Sequence, residues 1–125
     1  MEKRIRIRTG DVEVLAELND SEVAGLIWDI LPIQAEVSTW GDEIYFSIPV
    51  KANLENPKDV VEKGDLGYWP QGPAFCIFFG KTPISKGSEI RPASSVEVVG
   101  KVCDNPDEFK KVASGEKIIL ERIKE

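Results

Sequence analysis

The chain contains no histidine, which removes the serine and cysteine triads that rely on imidazole and most zinc sites. Chemistry is left to carboxylates, two thiols and a few arginines. Carboxylates are plentiful, but no two stand in a spacing that calls for paired acid–base work. Glu43 is set apart by its neighbours, since Trp40 and Tyr45 flank it. It is the carboxylate placed to feel an apolar surround, although a solvated glutamate is the expectation for this position. Arg91 is the single arginine between Arg8 and Arg122. In its proline-flanked loop it could clamp a carboxylate or carbonyl; a surface salt bridge is the favoured reading. Cys76 and Cys103 both fall in apolar, strand-like segments and are expected as buried free thiols, without disulfide or metal-ligand spacing. Gly64, Gly67 and Gly72 lie in strand and turn context rather than in a phosphate loop. No cofactor and no metal site is expected.

Two hairpins must position whatever site exists. Residues 64–83 read GDLGYWPQGPAFCIFFGKTP, a strand at 66–69, a Pro-Gln-Gly-Pro turn and an apolar strand at 75–79. Pro70 and Pro73 withhold backbone donors, so neither strand runs through the turn. Side chains alternate across a pleat, so Tyr68, Trp69, Phe75, Phe78 and Phe79 cannot all enter one core. At least one large aromatic therefore lines a surface, and the parity of 75–79 is left open. The other hairpin joins 35–40 to 43–48 through Gly41-Asp42. That turn sets Val37 opposite Phe46 and Ala35 opposite Ile48 on an apolar face. It sets Ser38 opposite Tyr45 and Trp40 opposite Glu43 on the other. The expected groove is lined by Trp40, Tyr45, Tyr68, Trp69, Gln71 and Phe75, with Arg91 in a wall formed by residues 81–94.

The remaining segments read as scaffold. Arginine and isoleucine alternate over 4–8, and 12–18 alternates again after the turn Thr9-Gly10-Asp11, giving a hairpin with one wet face. With Gly10 near the turn centre, Arg8 faces Asp11, Arg6 faces Glu13 and Leu15 falls opposite Arg4. These pairs give the arginines a structural role in preference to nucleic-acid binding. Asn19 is expected to cap a helix in a capping box with Glu22. That helix has a broad apolar face that includes Leu26 and Trp28, and Pro32 stops it. Residues 49–63 form a loop with one helical turn at 57–62. A strand at 96–102 follows. Asn105 and Pro106 then start a short helix ended by Gly115, and 118–123 is a closing strand.

At 125 residues, 42% hydrophobic and 30% charged, the chain suits one folded domain spanning 1–125. The formal charge of −6 opposes nonspecific nucleic-acid binding. No stretch is apolar enough to span a bilayer, and MEKRIRIRTG carries charges where a signal peptide needs an apolar run. A cytoplasmic protein without nucleic-acid or membrane partners is expected. Oligomeric state is written in no motif.

VEVVGKV at 96–102 is similar to a segment of the cyclophilins, and WGDEIYF at 40–46 with the run at 64–83 resembles, more closely, a small bacterial and archaeal cyclophilin-like family. The resemblance extends over nearly the whole chain. It implies a mainly β fold, a closed antiparallel barrel of about eight strands with a helix over each opening. True cyclophilins isomerise Xaa-Pro bonds in an outer groove. There the resemblance implies an arginine on the third strand, with glutamine, phenylalanine, tryptophan and histidine around it. Residues 35–40 hold no arginine, 81–94 hold no tryptophan, and histidine is missing outright. The favoured function is thus a binding module for a peptide, a partner loop or a small ligand. The alternative is a peptidyl-prolyl isomerase with a rebuilt site in which Arg91 stands in for the missing arginine.

Overall fold

Alternation of isoleucine with arginine makes β1 (Lys3–Thr9), and alternation of apolar with polar residues makes β2 (Val12–Leu18). In the computed structural model, which describes residues 3–123, the two pair antiparallel with Thr9 opposite Val12 and Arg8 opposite Glu13. The expected register is therefore corrected by two residues, because Gly10 and Asp11 together form the turn. A shift of two preserves parity, so Ile5, Ile7, Val14 and Ala16 still enter the core. Leu15 lies opposite Arg6 rather than Arg4 and remains exposed. On the wet face Arg6 contacts Glu13 and Glu121, and Arg8 contacts Glu121. Residues 1, 2, 124 and 125 of the expected single domain lie outside the described residues.

Helix α1 (Glu22–Ile30) buries Val23, Ala24 and Ile27. Its cap is Ser21, whose hydroxyl accepts from the Ala24 amide at 3.2 Å, and not Asn19. Asn19 instead accepts from the Ser21 amide and donates to the Val98 carbonyl, pinning the approach to the helix. Leu26 is exposed, so the apolar face is narrower than the sequence implies. Trp28 lies under the Arg122 guanidinium, 5.1 Å from the ring centroid.

The remaining strands are β3 (Ile33–Glu36), β4 (Ser38–Thr39), β5 (Glu43–Ser47), β6 (Asp65–Trp69), β7 (Ala74–Phe78), β8 (Glu97–Val102) and β9 (Lys117–Arg122). The sheet order is β3-β9-β1-β2-β8-β6-β7-β5-β4, and every neighbouring pair is antiparallel. Its outermost strands, β3 and β4, are separated in sequence by Val37 alone. One bent strand thus joins the two edges and nearly closes a barrel. Val37 is fixed at the bend by donating to the Glu116 carbonyl and accepting from the Gly115 amide. This bend also explains why Ala35 pairs with Ile118 and not with Ile48.

β2 and β8 run in opposite directions, so the segments that follow them leave from opposite barrel ends. α1 follows β2. A 3-10 helix, Pro106–Lys111, follows β8, with Asn105 as its cap as expected. It ends at Lys111, short of Gly115, and sends Phe109 into the core beside Phe79. Phe46 stacks on Phe75 inside the barrel, with centroids 5.4 Å apart. β7 is buried along its whole length. Phe75 and Ile77 face the interior cluster, while Ala74, Cys76 and Phe78 face a second apolar cluster outside the barrel.

Candidate functional site

The outer cluster is roofed by two loops. Residues 57–62 form no helical turn; instead Lys58 bridges Val96 and Val61 bridges Ile90, zipping the two loops together. Val61, Ile90 and Val96 then cover Phe78. The roof is braced by Ser85, whose hydroxyl accepts from the Thr82 and Arg91 amides, and by the Thr82 hydroxyl donating to the Arg91 carbonyl. Towards β5 the roof stops short. A cleft of about 310 Å³ opens there, lined by Trp40, Glu43, Tyr45, Trp69, Cys76, Pro92, Ala93 and Val96.

Each wall follows from local structure. Gly41, at φ +62°, allows the tight turn in which the Trp40 amide donates to the Glu43 carbonyl at 2.9 Å. Ser38 stands opposite Tyr45 as the Gly-Asp turn dictates. Val37 and Phe46 are buried, and Glu43 and Tyr45 project to the outside. On β7, Cys76 pairs with Tyr45 and Phe78 with Glu43. Glu43 and Cys76 are therefore diagonal neighbours on the outer face, within side-chain reach. Trp69 ends β6 on the same face, and its indole N–H donates to the Ser94 hydroxyl at 2.6 Å. That bond satisfies the polar edge of the indole and leaves its ring as wall.

Trp40, Tyr45 and Trp69 of the expected groove thus line one cleft. Tyr68 and Phe75 do not: both point into the barrel. Tyr68 donates to the Val50 carbonyl at 2.7 Å and accepts from the Ala52 amide, holding the loop after β5. The cause is parity, since Tyr68 pairs with Phe75 and both share the interior face. Gln71 is exposed at the corner after β6 and is not among the lining residues. Arg91 is also not a lining residue; its guanidinium meets Glu89 at 2.9 Å, the surface salt bridge favoured from the sequence.

Glu43 departs most from expectation. It is 6% exposed rather than solvated, recessed in the wall of the cleft it shares with Trp40, Tyr45 and residues 92, 93 and 96. Burial pushes its pKa up to about 7, opposed by a hydrogen bond from the Cys76 thiol. Burial, and then the Glu43 charge, raise the Cys76 thiol well above its usual range, so it serves as a donor and not as a thiolate nucleophile. Cys103, expected to be buried, is exposed beyond the end of β8. Among the described residues no group of three potential metal ligands converges, and no helix is long and apolar enough to cross a membrane.

A family model described as cyclophilin-like matches residues 3–121. The solution structure of a hypothetical protein from Archaeoglobus fulgidus is similar throughout, with 47% identity, a TM-score of 0.83, and 98% of this chain and 95% of that one covered. No curated protein matches the chain.

Proposed function

The chain belongs to the cyclophilin-like family, and from that premise we propose that it is a binding module whose outer cleft takes a small ligand or the side chain of a peptide. The observation that carries this reading is the gap in the roof. Over Phe78 the loops seal the apolar outer face of β7, yet beside it Trp40, Tyr45 and Trp69 line an open cleft. Rigid amphipathic rings around a small concave site are typical of recognition surfaces. The position of Arg91, held by Glu89 away from the lining residues, weighs against an isomerase with a rebuilt arginine. A peptide or small-molecule partner, in place of nucleic acid or a membrane, accords with the net charge of −6. The free thiols of Cys76 and Cys103 accord with a cytoplasmic location.

Chemical-shift mapping against proline-containing peptides and a metabolite panel tests the site. Saturable shifts should cluster at Trp40, Tyr45, Trp69 and Val96. Shifts confined to the 3-10 helix or to the β1 arginines would overturn the assignment. In a coupled prolyl-isomerisation assay the expected rate is far below that of ordinary cyclophilins. Robust turnover that disappears in Arg91→Ala would establish the isomerase instead.

A further inference from the structure

The chemistry of the cleft narrows the ligand class. Its lining is aromatic and aliphatic apart from Glu43, Cys76, the Tyr45 hydroxyl and the Trp40 and Trp69 indole N–H groups, and no lining residue is basic. Glu43 therefore brings a buried carboxyl to an aromatic cleft with a thiol as its hydrogen-bond donor. A buried carboxylate is costly without a cation beside it. Aromatic rings attract cations through their quadrupoles, most strongly where water is displaced.

We propose that the cleft binds an organic cation, a quaternary or alkylated ammonium group seated among Trp40, Tyr45 and Trp69 with its charge against the Glu43 carboxylate. An alkylated ammonium suits this lining better than a guanidinium or a free ammonium. Those groups carry several N–H donors that each need an acceptor, whereas this wall is largely hydrocarbon and ring. The Trp69 N–H is already committed to Ser94, so the indole presents its ring system and not a donor that would repel a cation. The inference deepens the binding reading and rests on it.

Choline and its neutral carbon isostere, 3,3-dimethyl-1-butanol, separate charge from shape. Each is titrated into the full chain while the Trp40 and Trp69 indole signals are followed by NMR. Choline should shift both saturably, and the isostere should bind about tenfold more weakly or worse. Glu43→Gln should lower choline affinity about tenfold and leave the isostere unchanged. Trp40→Leu, which keeps apolar contact without a π face, should also weaken choline selectively and guards against a folding defect in the first variant. Equal binding of choline and the isostere, or choline binding indifferent to both substitutions, would overturn the cation assignment while leaving the binding cleft standing. Absence of cleft shifts with choline, the isostere and proline peptides alike would overturn both.

Discussion

Glu97 and Glu43 are buried to nearly the same degree, 5% and 6% exposed, yet the protein treats them in opposite ways. One oxygen of Glu97 accepts from the Glu55 and Asn56 amides, each at 2.8 Å. Two backbone donors offset its loss of water and tie the long loop between β5 and β6 to β8. Glu43 has the Cys76 thiol, a weak donor, and its pKa is pushed up to about 7. The difference is what each side chain faces. Glu97 meets backbone that needs an acceptor, and Glu43 meets a cleft. A buried carboxylate that accepts from backbone amides fastens a fold, whereas one that meets a thiol beside an opening is a place where a ligand can add a favourable contact.

Stability measurements can break this contrast. Glu97→Ala leaves two amide donors without their acceptor and should cost about 4 kcal/mol in urea unfolding at neutral pH. A loss below about 1 kcal/mol would show that the loop is held by other contacts.

Glu43 should act through pH. Its folded pKa of about 7 lies above the ordinary 4.5, so the native state holds a proton that the unfolded chain releases between those values. Its contribution is fully present below about pH 4.5 and is lost as pH rises through about 7. The titratable groups facing it are Tyr45 on its own strand and Cys76 on β7, whose thiol stays protonated across that range. The lost stability is on the order of 3 kcal/mol. Glu43→Gln should be more stable than the parent at pH 8 and should lose that advantage near pH 4. Parallel stability curves for the two proteins would show that the carboxyl is hydrated after all.

The smallest effect is expected at the cleft wall. Trp69→Phe keeps an aromatic ring but removes the bond to Ser94, costing about 1 kcal/mol. It should also broaden the amide signals of residues 92–96. Unchanged signals there would mean that the loop is positioned by the Ser85 and Thr82 bonds alone.

The parts of this architecture that follow local rules could be read directly. Gly41-Asp42 fixed the Ser38–Tyr45 register and with it the outward direction of Trp40 and Tyr45. Alternation in β1 and β2 assigned the correct faces even though the turn centre was misplaced, because an even shift conserves parity. At α1, Asn19 and Ser21 are both good caps, and the choice falls to Ser21 because Asn19 is occupied with Val98. Distant chain governed the rest. β7 is apolar on both faces, so no alternation showed that Phe75 turns inward with Tyr68. The recess in which Glu43 sits is completed by residues 92, 93 and 96, whose position across the cleft is set by loop bridges with no sequence period.

A strand with one polar face is protected from slipping, because a one-residue slip drives polar side chains into the core. β7 lacks that protection. Displaced by one position it would exchange Phe75 and Ile77 for Cys76 and Phe78 and bury nearly as much hydrocarbon. Volume separates the two alignments. Gly67 stands opposite Cys76, and a β carbon there would lie only 3.1 Å from the Phe78 ring and 3.4 Å from Val96. The outer face therefore closes only when the residue without a side chain lies beneath that ring. Proofreading of strand alignment during folding thus rests on a notch the size of a methyl group, reinforced by the proline-bounded corner after β6, and not on polarity.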